Sequence, residues 1–124
     1  MTPTFERRPW GWFEVLMNAP DYKIKRLFVE PGNRLSLQYH ERRQEHWFVV
    51  SGEGLATIGP REIPLVPGES VDVAVSVAHR IHNTGYAPMM IIEVQTGESF
   101  DEDDIVRLDD DFGRVTVAPD KTTL

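Results

Sequence analysis

The sequence predicts an all-β domain, and two observations point to it. Apolar and polar residues alternate with a period of two along most of the chain, which is the repeat of a half-buried strand. Turn-forming pairs separate these runs, namely Pro31-Gly32, Ser51-Gly52, Gly59-Pro60, Pro67-Gly68 and Thr84-Gly85. Short strands at such regular spacing are typical of a β-sandwich or a β-barrel.

The predicted strands follow one another along the chain. They are Phe13–Leu16, Tyr22–Val29, Ser36–His40, Glu45–Ser51, Gly54–Ile58, Glu62–Leu65, Ser70–Val73, His79–Asn83 and Met89–Gln95. Beyond them, Ser99 followed by Glu102 fits a capping box, and the acidic residues at 101–104 would lie in a first helical turn. We therefore predict a short C-terminal helix, and interpret Asp109-Asp110-Asp111 as a solvated loop.

Length and composition limit both the architecture and the ligand. The chain has 124 residues, no cysteine and a net charge of −7. This length suits one domain, which we divide into an N-terminal arm (1–13), a barrel (about 14–97) and a tail (98–124). Because thiolates are absent, any metal site must use nitrogen and oxygen ligands.

The same composition narrows the location and the partners. We find neither a signal peptide nor a membrane-spanning stretch, so we expect a cytoplasmic protein with no membrane partner. The negative charge argues against nucleic acid, which requires a broad basic surface. It does not exclude a small anionic ligand, which needs only a few cations in a pocket.

Four residues outline a metal site. Gln38 and His40 are two apart in an alternating run, so both side chains leave the same face of a strand. A short turn-prone stretch brings the chain back at Glu45, and a later strand leads to His79. An amide, two imidazoles and a carboxylate can thus surround one point. The alternative for each histidine is a packed or surface residue, and some proteins with this pattern have lost their metal.

Together the two segments resemble the paired motifs of the cupin superfamily. Gln38 stands in the first His position of the first motif, with His40, Glu45 and Gly52 at the others. In the second motif, residues Gly68, Ala74, Ser76, His79 and Asn83 fall at the expected places. The resemblance implies the double-stranded β-helix, or jelly roll, with Gln38, His40, Glu45 and His79 as metal ligands.

Longer motifs narrow the resemblance to one family. They are Arg8-Pro9-Trp10-Gly11, Tyr22-Lys23-Ile24-Lys25-Arg26, Leu35-Ser36-Leu37-Gln38, Glu45-His46-Trp47, His79-Arg80, Ile92-Glu93-Val94-Gln95, Glu102-Asp103-Asp104-Ile105-Val106-Arg107 and Phe112-Gly113-Arg114. From Arg8 to Arg114 the chain is similar to the C-terminal cupin domain of type II phosphomannose isomerases. In longer relatives that domain follows a mannose-1-phosphate guanylyltransferase domain, and we find no Gly-rich nucleotidyl-binding segment before Arg8. The resemblance therefore covers at most the isomerase part.

That family interconverts mannose 6-phosphate and fructose 6-phosphate with a divalent metal. The resemblance points first to zinc, with manganese, cobalt, nickel or iron as alternatives. Moving a carbonyl between C1 and C2 requires removal of a carbon-bound proton and stabilisation of an enediolate, which a metal assists by polarising the carbonyl. The expected partner is thus a small sugar phosphate.

Further residues receive roles in the same way. Arg43 matches an arginine linked to isomerase activity, although it can also be an exposed loop residue. Glu93 shares a strand face with Gln95 and is our candidate general base, because a carboxylate that faces a barrel interior would have a raised pKa; a structural carboxylate paired with an arginine is the alternative. Candidates for phosphate binding, by resemblance, are Lys25, Arg107 and Arg114. Arg80 directly follows a ligand and is equally compatible with a structural salt bridge.

Three functions remain open at this stage. The first is a metal-dependent mannose 6-phosphate isomerase, with Arg43 and Glu93 as catalytic residues. The second is a non-catalytic cupin that binds a sugar phosphate or nucleotide sugar beside a separate guanylyltransferase. A third is another cupin enzyme, such as an epimerase or an oxygenase. By analogy we expect a homodimer, with an arm such as Phe5–Phe13 crossing to the partner.

Overall fold

The computed structural model describes residues 5–115, which form two antiparallel sheets and contain no helix. The strands are β1 (Phe5–Arg8), β2 (Gly11–Asn18), β3 (Tyr22–Val29), β4 (Leu37–Tyr39), β5 (Arg43–Ser51), β6 (Gly54–Ile58), β7 (Arg61–Leu65), β8 (Ser70–Val73), β9 (His79–His82), β10 (Met89–Gly97) and β11 (Val106–Asp109). No helix within these residues is long and apolar enough to span a bilayer.

The two sheets pack face to face. One has the order β1-β2-β3-β10-β5-β8 and the other β11-β4-β9-β6-β7, so strands distant in sequence become neighbours. Buried apolar side chains from both inner faces form the core, among them Trp47, Val49, Ile81, Met89 and Ile91. This is the jelly-roll architecture, and the predicted all-β class is confirmed.

The inner face of the larger sheet changes character along its strands. In β10 the buried residues are Met89 and Ile91 at the start but Glu93 and Gln95 near the end. The register aligns Glu93 with Trp47 of β5 and with Lys25 of β3, so polar positions of three strands meet at one end. The sandwich therefore has an apolar end, which is the core, and a polar end, which is a cavity.

The predicted C-terminal helix is wrong. Ser99 Oγ does accept a hydrogen bond from the Asp101 amide, at 3.3 Å, but only a turn follows. The Asp104 carboxylate instead accepts the amide hydrogens of Glu41 and Arg42, at 3.0 and 2.9 Å, and the chain continues into β11 beside β4. Tertiary hydrogen bonds thus override a local helix signal.

The acidic run is also more ordered than a solvated loop. Asp109 contacts Arg80 at 3.2 Å, and Asp111 contacts Arg34 at 2.7 Å. Asp110 accepts hydrogen bonds from Arg114, at 2.8 and 3.1 Å. Asp109 and Asp111 thus fasten the C-terminal segment to the domain, while Asp110 forms an ion pair within that segment.

The N-terminal residues that we predicted as an arm lie in the larger sheet. Phe5–Arg8 pairs with β2 of the same chain in an antiparallel hairpin, from Phe5 opposite Glu14 to Arg8 opposite Gly11. The parts of the predicted arm and tail at 1–4 and 116–124 lie outside the described residues.

Candidate metal centre

A cavity occupies the polar end of the sandwich, between the two sheets. Side chains from the smaller sheet (Gln38, His40 and His79) and from the larger one (Lys25, Glu45 and Glu93) line it. All four predicted metal ligands therefore reach the same space, together with both predicted catalytic residues.

Three of these ligands come within coordinating distance of one another. One side-chain atom from each of His40, Glu45 and His79 lies within 4.8 Å of the other two. Glu45 faces both imidazoles, with His40 Nε2 at 3.1 Å and His79 Nε2 at 3.7 Å. All three residues are buried, so the cluster is shielded from solvent.

Strand register produces this convergence. Gln38 of β4 lies directly opposite His79 of β9, which makes their side chains neighbours on one face of the smaller sheet. Glu45 lies on the inner face of β5 in the other sheet, with Gln95 of β10 beside it. Gln38 is half-buried, and its amide is available to complete the set.

Both histidines are oriented for coordination through Nε2. His40 Nδ1 donates to the Asp104 carbonyl at 2.7 Å, and His79 Nδ1 donates to the Val77 carbonyl at 2.9 Å. A neutral imidazole whose Nδ1 carries the hydrogen has a free lone pair on Nε2. Burial lowers the pKa of His79, which favours that neutral form.

An orphaned atom indicates that the cluster fits a cation. No hydrogen-bond partner for the buried His79 Nε2 exists among residues 5–115. Such a buried, unsatisfied lone pair is costly. Two imidazole nitrogens, a carboxylate and an amide are also ligands that first-row divalent metals accept. His40, Glu45, His79 and Gln38 would hold the ion.

The pKa values of two buried carboxyl groups in this cavity, Glu45 and Glu93, are shifted in opposite directions. Burial alone would raise the pKa of Glu45, but the hydrogen bond with His40 and the positive charges that His79 and His40 carry when they are protonated lower it well below its usual range. Burial and the charge of Glu45 raise the pKa of Glu93 to about 8. Trp47 Nε1 donates to both, at 3.1 Å to Glu45 and 3.2 Å to Glu93. Gln95 donates to Glu93 at 2.8 Å.

Arg43 is part of the cluster. It is 3% exposed, so the alternative of an exposed loop arginine is wrong. Its Nε donates to Glu45 at 3.2 Å, and its Nη1 donates to the Asp101 carbonyl at 3.1 Å. Gly97 permits this position, because its φ is +143° and a Cβ there would lie 2.7 Å from the Cα of Arg43.

The remaining predicted residues also line the cavity. Lys25 is buried and contacts Glu102 at 3.0 Å, while Arg107 and Arg114 approach from the C-terminal segment. Arg80 donates to the Leu35 carbonyl and to Asp109, which is the structural salt bridge that we kept as its alternative. Glu93 has hydrogen bonds from Trp47 and Gln95 and not from an arginine in the described part of the chain.

Sequence reasoning missed three contributors. The Trp47 indole, quoted above only within a motif, bridges the two carboxyl groups. The Asp104 backbone orients His40, although we placed it in a helix. Arg8 lines the cavity, but we had quoted it only within a motif. The Glu45-His46-Trp47 run was an available signal, since residues two apart share a strand face.

Three comparisons with known proteins agree with this geometry. A family model described as "Mannose-6-phosphate isomerase C-terminal" matches residues 4–110. The xanthan biosynthesis protein XanB of Xanthomonas campestris is 43% identical over 107 residues, which are 86% of this chain and 23% of XanB. A mannose-1-phosphate guanylyltransferase of Klebsiella pneumoniae is 35% identical over the same shares. The chain thus spans about a quarter of the length of these relatives.

A solved structure supports the fold alone. An uncharacterized conserved protein with a double-stranded β-helix domain, from Klebsiella pneumoniae, aligns with a TM-score of 0.65 and 22% identity. The alignment covers 69% of this chain and 76% of that protein. The predicted double-stranded β-helix fold is therefore confirmed, and the chain belongs to the family of mannose-6-phosphate isomerase C-terminal domains.

Proposed function

We propose that this chain is a metal-dependent aldose–ketose isomerase that interconverts mannose 6-phosphate and fructose 6-phosphate. One observation carries the proposal: a buried His40–Glu45–His79 cluster and a carboxyl group with a pKa of about 8 share one cavity. The family model adds the substrate class.

The proton transfer is assigned to Glu93. The reaction requires a base to remove the proton from C2 of the open-chain aldose and to return it to C1, while a hydroxyl proton moves from O2 to O1. A pKa near the working pH allows one carboxyl group to accept and then release that proton. Hydrogen bonds from Trp47 and Gln95 fix its orientation. A divalent cation held by the four ligands would supply the Lewis acid for the substrate carbonyl.

The cavity charges suit the other end of the substrate. Lys25, Arg107 and Arg114 are the proposed phosphate ligands, and all three line the same cavity as the metal cluster. Arg43 lies close to Glu45 and His40, so we assign it to the substrate oxygens near the reacting carbons. Guanidinium groups bind such oxygens through paired hydrogen bonds.

A coupled assay for fructose 6-phosphate formation tests the proposal. The chain is stripped of metal and reloaded in turn with zinc, manganese, cobalt, nickel and iron. We expect metal-dependent turnover that disappears in His79→Ala and persists in His46→Ala. His46 is the matched control because it faces out of the cavity and contacts Asp72 instead. A metal-loaded protein without turnover would contradict the isomerase proposal.

A second candidate function rests on the comparisons. The chain matches only about a quarter of the length of its relatives, which are named as a xanthan biosynthesis protein and a mannose-1-phosphate guanylyltransferase. A non-catalytic metal cupin that binds a sugar phosphate or nucleotide sugar beside a separate guanylyltransferase would fit that pattern. It predicts metal and ligand binding without isomerisation in the same assay. The cytoplasmic location and the homodimer also stay predictions, and light scattering on the purified chain tests the latter.

A further inference from the structure

The Arg8-Pro9-Trp10-Gly11 hairpin contributes to the cavity but has no role in the proposed proton transfer. Arg8 and Trp10 both line the cavity, and Trp10 is buried. Gly11 lets the hairpin lie directly on β3: its φ is +154°, and a Cβ there would lie 1.9 Å from the Phe28 carbonyl oxygen. This close approach fixes the backbone of Gly11 and of Arg8, its strand partner.

Arg8 shares an aromatic ring with a second cation. Its guanidinium carbon lies 4.8 Å from the centre of the Phe13 ring, and Lys25 Nζ lies 4.2 Å from the same centre. Each contact is individually favourable, but two like charges on one buried ring repel each other. Their acidic partners Glu6 and Glu102 are 51% and 44% exposed, whereas the Lys25 side chain is only 6% exposed.

Further arginines approach from the other end of the chain. Arg107 and Arg114 line the same cavity, and burial together with the charges of Arg114 and Arg8 lowers the pKa of Arg107. Six basic side chains but only three carboxyl groups line the cavity itself. Glu6 and Asp109 pair with Arg8 and Arg80 from outside the lining, but both are more than half exposed, so solvent screens these pairs. Arg114 has a buried partner, Asp110, outside the lining. The six are Arg8, Lys25, Arg43, Arg80, Arg107 and Arg114. Such local excess favours a bound anion.

The register of strands β11, β4 and β9 gives the distance between the basic cluster and the metal ligands. Arg107 of β11 lies opposite Gln38 of β4, which in turn lies opposite His79 of β9. Two strand spacings, about 10 Å, therefore separate Arg107 from His79. This distance suits an extended six-carbon sugar whose reacting end lies at the metal cluster and whose terminal phosphate lies beside Arg107.

We propose that Arg8 completes an anion subsite with Arg107 and Arg114, and that this subsite binds the phosphoryl dianion of a sugar phosphate. The identity of the sugar rests on the proposed function, but the subsite does not need turnover to be detected. Lys25, which shares the Phe13 ring with Arg8 and contacts Glu102 at 3.0 Å, borders this subsite.

Binding of inorganic phosphate to the full chain tests the subsite directly. We would follow it by ³¹P NMR and calorimetry at low salt. Arg8→Gln should weaken phosphate binding by roughly 10- to 100-fold, the value of a charged hydrogen-bonding group. Arg7→Gln should change it by less than about twofold, because Arg7 is the exposed neighbour on the same strand. Equal affinities for the two variants would overturn the proposal.

A second variant covers the case in which Arg8→Gln does not fold. Glu6→Gln alters an exposed residue and removes the carboxylate that lies 3.0 Å from Arg8. Freeing the guanidinium should tighten phosphate binding a few-fold, and unchanged or weaker binding would count against the subsite.

Turnover separates this inference from the isomerase proposal. If the chain isomerises mannose 6-phosphate, Arg8→Gln should raise KM while leaving kcat largely unchanged, as expected for a group that holds a remote part of the substrate. Turnover with an unaltered KM would overturn the subsite and leave the isomerase. Phosphate binding that depends on Arg8 in a protein without turnover would overturn the isomerase and leave the subsite.

Discussion

The metal-ligand cluster and the C-terminal segment at 98–114 are built on different principles. Strand register brings the four metal ligands together. Gln38, Glu45 and His79 occupy inner-face positions of β4, β5 and β9, and His40 directly follows β4. The C-terminal segment adds one strand, β11, to the edge of β4, and long-range ion pairs such as Arg80–Asp109 and Arg34–Asp111 reinforce its attachment. Backbone periodicity thus creates the site, and long-range ion pairs close it.

The largest expected effect follows from Glu45, which faces both histidines. Glu45→Gln keeps the shape of the side chain but removes the charge, so we expect metal affinity to fall by more than about 100-fold. That estimate exceeds the 10- to 100-fold cost of losing a residue that only orients a ligand. Metal content and chelator competition measure it. Glu62→Gln, an exposed residue of β7, is the control, and full metal retention in Glu45→Gln would contradict the assigned ligand set.

Asp104 tests whether the C-terminal segment also positions the site. Its carboxylate holds the Glu41 and Arg42 amides, and its carbonyl accepts the His40 Nδ1 hydrogen. Asp104→Ala keeps the carbonyl but removes the carboxylate that fixes its position, so it should weaken metal binding by roughly 10- to 100-fold as His40 loses its orientation. Asp103→Ala removes the same charge from an exposed neighbour and should leave affinity unchanged. Indistinguishable variants in a zinc titration would show that the segment only covers the site.

Two arginines compare the buried and exposed anchors of the segment. Arg80 is 8% exposed and donates to the Leu35 carbonyl and to Asp109, whereas the Arg34 side chain is 36% exposed. Arg80→Gln should lower the free energy of unfolding by about 2 kcal/mol, and Arg34→Gln by less than about 1 kcal/mol. Urea denaturation measures both. A larger loss for Arg34→Gln would reverse the assignment of the main anchor.

The smallest expected effect concerns the pH dependence of the Asp110–Arg114 pair. Hydrogen bonds from Arg114 hold the pKa of Asp110 below its ordinary value. The pair therefore stabilises the folded state above pH of about 4, and the contribution is lost as the pH falls through the pKa of the folded state. Carbon-13 NMR of the Asp110 carboxyl should show its pKa rising in Arg114→Gln. The pKa of Asp110 should not change in Arg61→Gln, which alters an exposed residue of β7.

The contrast between the two regions also explains how much the sequence predicts. The metal ligands could be predicted, because strand periodicity and motif spacing are local properties of the sequence that the fold preserves. They are Gln38, His40, Glu45 and His79. The helix predicted after Ser99 failed because the Asp104 carboxylate binds two amides of a distant loop, and no local pattern encodes such a partner. Strand β1 was missed because its residues are mostly charged and exposed, so only its pairing with β2 distinguishes it from a loop.

The pairing of β10 between β3 and β5 has a consequence for biosynthesis. The N-terminus of the chain leaves the ribosome first, so the β1–β2 hairpin and β3 emerge early. The inner neighbour of β3 in the sheet is β10, which emerges only when Met89–Gly97 has been synthesised. Lys25 therefore has no strand partner until Glu93 has been synthesised. In the same way, Arg8 cannot share a cavity with Arg107 and Arg114 until the C-terminal segment is present. Until then a half-sheet with an unpaired edge is exposed. Phosphate binding should therefore be among the last properties that the nascent polypeptide acquires, and a truncated translation product ending before β11 should lack it, because Arg107 and Arg114 are missing.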